Sequence, residues 1–305
     1  MHDPRPPSRS PDWISDAGLL FVVLVWGLNF AIIKVPLDVM DPFTVNLFRF
    51  AVALVTLGLL HGRASRRRGE RFTEALERSP GAVIGLGLLA HVVYQTGFIL
   101  GIDRITAGMG ALLMATAPLW TAIIGHIGGV DRLAGRAWLG VGLGLAGAIL
   151  VVVGRPAGAE MSGAWTGIAL VLAGALAWAV FTVLARPVLT RGVSPLGLTF
   201  WGLLFAFPVL VALGVPGLVT TEWARAGSLV WAALVFSGAL SIAAAYAIWN
   251  EAVRRIGPSR TALYSNLVPF AGVGAGAVLL GEAVVPLQIA GGVLVVAGLV
   301  VVRRS

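Results

Sequence analysis

Apolar residues run along this chain in long blocks, separated by short polar stretches in which arginine recurs. A helix needs about 20 largely apolar residues to cross about 30 Å of hydrocarbon. Ten blocks meet or approach that length. The first five are Ala17–Val35, Pro42–Leu60, Gly81–Gly101, Thr106–Ile127 and Ala137–Val153; the second five are Gly163–Ala185, Pro195–Val215, Leu229–Val253, Ser259–Leu280 and Pro286–Val302. Glycine and proline inside unbroken apolar runs exclude a transmembrane β-barrel, whose strands alternate over about 10 residues. The pattern predicts an all-α membrane protein with ten transmembrane helices.

Composition agrees. The 305 residues are 58% hydrophobic and 12% charged, with a mean hydropathy of +0.91, against about 45–50% and about 25% for ordinary soluble domains. A soluble two-domain enzyme of this length needs far more charge for its surface. The 40 glycines suit close helix packing in a bilayer. The absence of cysteine excludes disulfide and thiolate chemistry. The polar, proline-rich first 16 residues show no small-residue cleavage site, so the first span is expected to remain as a signal anchor.

A net charge of +8 and a pI near 11.3 raise the question of nucleic acid. Placement answers it. Of the 22 basic residues, 17 fall on one side of a ten-span chain: Arg5 and Arg9, six arginines from Arg63 to Arg78, the inter-span arginines of the later loops, and Arg303 and Arg304. The other side holds Lys34, Arg104, Arg155 and Arg225, and Arg49 lies within a span. Basic loops stay cytoplasmic, so both termini are expected inside. The basicity then reads as a topology signal, with no nucleic acid required.

The two halves match at a nearly constant offset. Trp26 and Trp178, Lys34 and Arg186, and Tyr94 and Tyr246 stand 152 residues apart; Pro118 and Pro269, Asp131 and Glu282, and Gly147 and Gly298 stand 151 apart. Register of this kind indicates duplication. Each half holds five spans, an odd number, so the second copy enters the membrane upside down. The expected organisation is a cytoplasmic tail over 1–16, a first five-helix repeat over 17–155 and a second, inverted, over 156–305. Inverted repeats place a solute site near the midplane at the repeat interface and support alternating access.

The first half contains Trp26-Gly27-Leu28-Asn29-Phe30, then Lys34, Pro42 and Arg49-Phe50; the second contains Tyr246-Ala247-Ile248-Trp249-Asn250, then Pro258, Pro269-Phe270, Gly281-Glu282 and Gln288. In order and spacing these resemble the drug/metabolite transporter superfamily, of the ten-span EamA type, over the whole membrane region. The resemblance implies a carrier in a bacterial inner membrane that exports small metabolites, without a cofactor. Among such carriers it looks most like the aromatic amino-acid exporters. The Gly-Glu pair that ends the fourth span of each half is Gly281-Glu282 in the second and Val130-Asp131 in the first.

Four stripes at helical spacing are the candidate site. Trp26 and Asn29 share one face of the first span, with Trp178 on its repeat partner; His91, Tyr94 and Gln95 share a face of the third, with Tyr246, Trp249 and Asn250 on its partner. Exposing amides to lipid costs free energy, so these faces should look inward. There they could line a substrate cavity; the other reading is interhelical packing and an interfacial aromatic belt. Lys34, Arg49, Pro118, Pro269 and Glu282 are assigned to gating or structure. Arg49, deep in its span, reads as a helix brace, with a substrate carboxylate as the alternative. The prolines read as kinks, Lys34 as an interfacial or gate residue and Glu282 as a cap or gate partner.

Other functions fit less well. The single lysine, in Ile-Ile-Lys-Val-Pro, cannot belong to a phosphate-binding loop. The four histidines form no H-E-x-x-H pair, and no G-x-S-x-G elbow or acidic metal cluster is present. A metal site and enzymatic activity are therefore not expected. A receptor or assembly scaffold needs no inverted duplication. The expected partners are a small solute, aromatic or neutral amino acids ahead of a nucleotide-sugar or cationic drug, and the lipid bilayer. A monomer is expected, with dimerisation as the alternative.

Overall fold

A computed structural model describes residues 12–128, 135–154 and 161–304. The expected boundary between 155 and 156 and most of the 1–16 tail lie outside these residues, as does Asp131. Among the described residues there is no β-strand, and ten apolar helical segments occur. They are α1 (Ser15–Leu37), α2 (Pro42–Arg68), α3 (Pro80–Arg104), α4 (Ala107–Ile127), α5 (Ala137–Val153), α6 (Gly163–Thr190), α7 (Pro195–Gly214), α8 (Ser228–Ile256), α9 (Ser265–Leu280) and α10 (Pro286–Gly298). Seven are long and apolar enough to cross a membrane by themselves; α5, α9 and α10 are shorter.

Local chemistry sets several boundaries. Asp41 accepts a hydrogen bond from the Phe43 amide at 2.9 Å, with Pro42 opening α2. Ser194 accepts from the Gly197 amide at 3.1 Å, with Pro195 opening α7, its repeat counterpart. A capped, proline-started helix satisfies donors that the first turn leaves free. The α2 helix continues two turns beyond the expected Leu60. It stops at Gly69, whose positive φ of 67° turns the chain while Gly69 and Glu70 donate back to Arg66 and Ser65. The Arg-rich extension carries too little apolar surface for a sequence-based span boundary to include it.

The repeats interleave. The α1 helix packs on α8 and α9, α2 on α7 and α8, α3 on α6 and α7, α4 on α6 and α9, and α5 on α10. Each of these contacts joins one half to the other, and the main hydrophobic core is built from both repeats. Several approaches are close enough to demand glycine, among them two that join helices of opposite repeats. A Cβ on Gly202 of α7 would stand 2.9 Å from the Gly87 Cα of α3, and one on Gly147 of α5 would stand 2.5 Å from the Gly291 carbonyl of α10. In lipid, where burying apolar surface gives no gain over the tails, such backbone proximity supplies packing energy.

Repeat symmetry extends to the irregularities. Residues Leu89–Val93 of α3 and Phe236–Ala244 of α8 wind as π-helix, and Tyr94 and Tyr246 follow just after them. The α4 helix breaks at Ala115–Thr116, so that Ala117–Ile127 restarts with Pro118 in its first turn. A tight 3-10 turn over Ser265–Leu267 precedes Val268–Leu280, with Pro269 in the first turn. A proline has no N–H to donate and clashes with the preceding turn, so both prolines begin helical halves. Backbone distortions of this type concentrate at membrane-transport sites.

Candidate functional site

The two pairs of distorted helices surround a cavity in the middle of the bundle. Its wall includes repeat-related pairs: Trp26 with Trp178, Tyr94 with Tyr246, Met114 with Ser265, and Ala117 with Val268. The cavity therefore sits on the pseudo-twofold axis that relates the halves. Its volume is about 50 Å³. A water needs roughly 10–15 Å³ on this measure, so the cavity has room for a few waters and none for an amino acid.

Aromatic rings do the closing. Trp26 and Trp178 meet edge-on with centroids 5.5 Å apart, Trp178 and Tyr246 are 5.0 Å apart, and Trp249 stacks obliquely on Trp26 at 5.1 Å. Toward the Lys34 end of the bundle, Phe30 and Phe98 meet at 5.5 Å. The Trp26 indole donates to the Ser241 carbonyl at 2.9 Å. Ser241 belongs to the π-helical stretch of α8, a distortion often found at functional sites. Nearby, the Ser237 hydroxyl donates to Asn29 Oδ1 at 2.7 Å.

Arg49 is the charged group of the cavity wall, with only 1% of its surface exposed. Its Nη1 donates to Asn46 Oδ1 at 3.0 Å and, at a longer 3.5 Å, to Gln95 Oε1. Its guanidinium carbon lies 5.9 Å from the ring centroids of both Phe50 and Phe98. Nε has no hydrogen-bond partner, and no carboxylate pairs with the group among the described residues. Gln95 passes the network on, its Nε2 donating to the Tyr246 hydroxyl at 2.7 Å. A buried cation held by neutral amides keeps capacity for an anion.

The structure sorts the sequence candidates. Trp26, Asn29, Tyr94, Gln95, Trp178 and Tyr246 line the central cavity, and Arg49 joins them. His91, Trp249 and Asn250 do not reach it. Each lies a helical turn from Tyr94 or Tyr246 toward the arginine-rich end, below the cavity floor. His91 stacks on Tyr246 at 5.6 Å, and Asn250 donates to Thr199 Oγ1 at 3.0 Å beside a separate void that His91 also lines. Trp249 packs behind Trp26 and Trp178.

At the opposite end, Lys34 Nζ lies 3.5 Å from the Asp103 carbonyl oxygen. Glu282, from the second repeat, accepts the Ala107 and Gly108 amides of α4 at 2.7 and 2.9 Å. A carboxylate there satisfies free amides and meets the positive end of the helix dipole. Pro118 and Pro269 lie beside the breaks that bring Ala115, Ala117, Ser265 and Val268 to the wall. Sequence reasoning missed Asn46, Ser237, Ser241 and the residues at the breaks. Asn46, three positions before Arg49 on one helical face, carried a usable signal; the others did not. Among the described residues, no group of three His, Asp or Glu side chains could hold a metal.

Comparison with known proteins agrees with this architecture. The profile described as EamA-like transporter family matches residues 13–153 and again 165–304. A "Probable amino-acid metabolite efflux pump" of Salmonella typhimurium is 28% identical over 92% of this chain and 91% of its own length. A "Probable terminal-alkyne amino-acid exporter" of Streptantibioticus cattleyicolor is 27% identical over 94% of this chain and 92% of its own. One solved crystal structure superposes with a TM-score of 0.62 at 18% identity, covering 96% of this chain and 98% of that one. That likeness speaks to the fold.

Proposed function

We propose, for a chain that belongs to the EamA-like transporter family, that it exports small amphipathic amino acids, aromatic or otherwise neutral, by alternating access across a bacterial inner membrane. Arg49 carries this reading. A centre-of-span arginine costs at least about 2.5–3.5 kcal/mol on insertion scales, and this one is buried in the cavity wall with no carboxylate partner among the described residues. The solute's carboxylate completes the pair, taken by the guanidinium fork. The surrounding indole and phenol rings accept an apolar or aromatic side chain and, by cation–π attraction, the ammonium group.

Access requires the aromatic layers to part in turn. Trp26, Trp178, Tyr246 and Trp249 separate the cavity from the arginine-rich end, which is cytoplasmic by the positive-inside bias, as are both termini. Phe30 with Phe98, backed by the Lys34 and Glu282 contacts, closes the other end. The helix breaks in α4 and α9 and the π-helical stretches in α3 and α8 are the points about which these layers move. No carboxylate lines the cavity among the described residues, which favours efflux down the solute's own gradient. In this proposal the transporting unit is a single chain, whose own residues line the cavity.

Counterflow in liposomes tests the proposal. Labelled phenylalanine, tryptophan and leucine should accumulate saturably, and phenethylamine, which lacks the carboxylate, should not. Equal transport of the amine overturns the role of Arg49. Absence of saturable flux across a broad amino-acid panel overturns the amino-acid assignment.

A further inference from the structure

A second and larger recess lies outside the central cavity, at the arginine-rich end of the bundle. It encloses about 740 Å³ between α1, α2 and α8 and the start of α7. Helix α8 separates the two spaces. Its buried face carries Tyr246 and Trp249 toward the bundle interior, and the other face presents Ala247 and Ile248 to the recess. At the floor Gly18 of α1 passes so close to Ile248 that a Cβ would stand 3.0 Å from its side chain. The recess is apolar below and charged above, where Arg63, Arg67, Arg68, Arg255, Glu70 and Glu251 line it. Glu251 is engaged by Arg254 and Arg255. The Arg63, Arg67 and Arg68 side chains have no ion pair among the described residues.

Helix length puts these groups at a definite depth. The 27 residues of α2 span about 40 Å at 1.5 Å per residue, against about 30 Å of hydrocarbon. Its last two turns, Arg63 to Arg68, therefore stand at headgroup level. Below them the exposed Leu60 of α2 lines the recess together with Gly18 of α1, Leu196 of α7 and Ala244, Ala247 and Ile248 of α8. Cations above and an apolar slot below match a single amphiphile with an anionic head.

We infer that this recess binds one anionic phospholipid, its phosphate held by Arg63, Arg67 and Arg68 and its acyl chains lying over Ala247 and Ile248 between α1 and α2. Basic pockets between membrane helices take anionic headgroups. Because α8 forms the back of the recess and the wall of the cavity, the lipid contacts a helix whose movement opens the site. The inference rests on the membrane placement of α2 but not on which solute is carried.

Native mass spectrometry of the detergent-purified full chain, with phosphatidylglycerol or phosphatidylcholine of matched acyl chains, tests it. One phosphatidylglycerol should be retained, and phosphatidylcholine should not. The triple variant Arg63→Gln/Arg67→Gln/Arg68→Gln and the floor-filling Ala247→Phe should each reduce retention about tenfold or more. A control triple of equal charge loss, Arg71→Gln/Arg78→Gln/Arg104→Gln, should retain the lipid. Equal retention of phosphatidylcholine, or undiminished retention by either recess variant, overturns the proposal. So does equal loss in the control, which marks diffuse charge attraction, or complete displacement by inorganic phosphate, which marks a free-anion site. Binding is read without transport, so failure of the amino-acid reading leaves this result intact, and the reverse holds too.

Discussion

The Gln95 side-chain amide donates to the Tyr246 hydroxyl at 2.7 Å, joining α3 of one repeat to α8 of the other across 151 residues of sequence. The same Gln95 faces Arg49 through its oxygen, so one amide links the buried cation to the aromatic layer that closes the cavity. Tyr246→Phe removes the acceptor and leaves a buried N–H unsatisfied, at a cost of about 1–3 kcal/mol. Expected are a folded protein, a lowered melting temperature and a several-fold rise in counterflow KM, on the order of the tenfold that 1.4 kcal/mol represents. Unchanged KM and melting would show that the link is idle.

Arg49 separates stability from transport. A brace lost by mutation lowers stability, whereas a buried cation reserved for a ligand costs stability in the ligand-free protein. Arg49→Gln should therefore melt no lower than wild type while losing about 10–100-fold in transport, the worth of a charge-assisted hydrogen bond. Arg49→Lys keeps the charge but not the planar fork and should rescue only partly. A strong destabilisation by Arg49→Gln with transport intact would return the residue to a bracing role.

Glu282 holds the start of α4 from the opposite repeat through the Ala107 and Gly108 amides. Glu282→Ala frees both amides at the positive end of a helix, and about 1–2 kcal/mol of stability should be lost. Glu282→Gln keeps an acceptor and should lose less. Thermal unfolding in detergent gives the ranking, and identical melting of all three proteins would remove the cap from the account.

The α5–α10 contact predicts a contrast between two glycines of one helix. A side chain at Gly147 meets the Gly291 backbone, while a Cβ at Gly142 meets nothing within 4 Å among the described residues. Gly147→Val should force the helices apart and lower stability by about 1–3 kcal/mol. Gly142→Ala should be neutral or raise it by up to about 1 kcal/mol, since alanine is the better helix former. Equal effects at the two positions would contradict the packing.

Topology is open to labelling because the chain has no native cysteine. Glu70→Cys, beyond the end of α2, and Ser228→Cys, at the start of α8, are both exposed positions. A membrane-impermeant thiol reagent applied from one face should reach one and not the other. Reaction of both from the same side would overturn the inverted arrangement.

Ten apolar blocks, the 152-residue offset and the sorting of basic residues were all legible without coordinates. Insertion into a bilayer is governed by local, additive quantities: the length of an apolar run and the cations flanking it. The Tyr94 and Tyr246 stripes could be read because helical spacing alone puts their members on one face. Depth along that face could not. Trp249 and Asn250 share Tyr246's stripe yet fall below the cavity, because one turn of α8 moves a side chain past the floor and into the packing against Trp26 and Thr199.

Sequence by itself determined the class, the number of spans and the duplication. The tertiary structure alone decided which helices of opposite repeats touch, where π-turns and proline breaks bring backbone to the cavity, and whether Arg49 finds a carboxylate. Those outcomes depend on pairs of residues far apart in the chain, whose meeting is fixed by the close packing of the whole bundle. No local pattern encodes that Gln95 and Tyr246 stand 2.7 Å apart, or that the arginine beside them finds no counter-ion among the described residues.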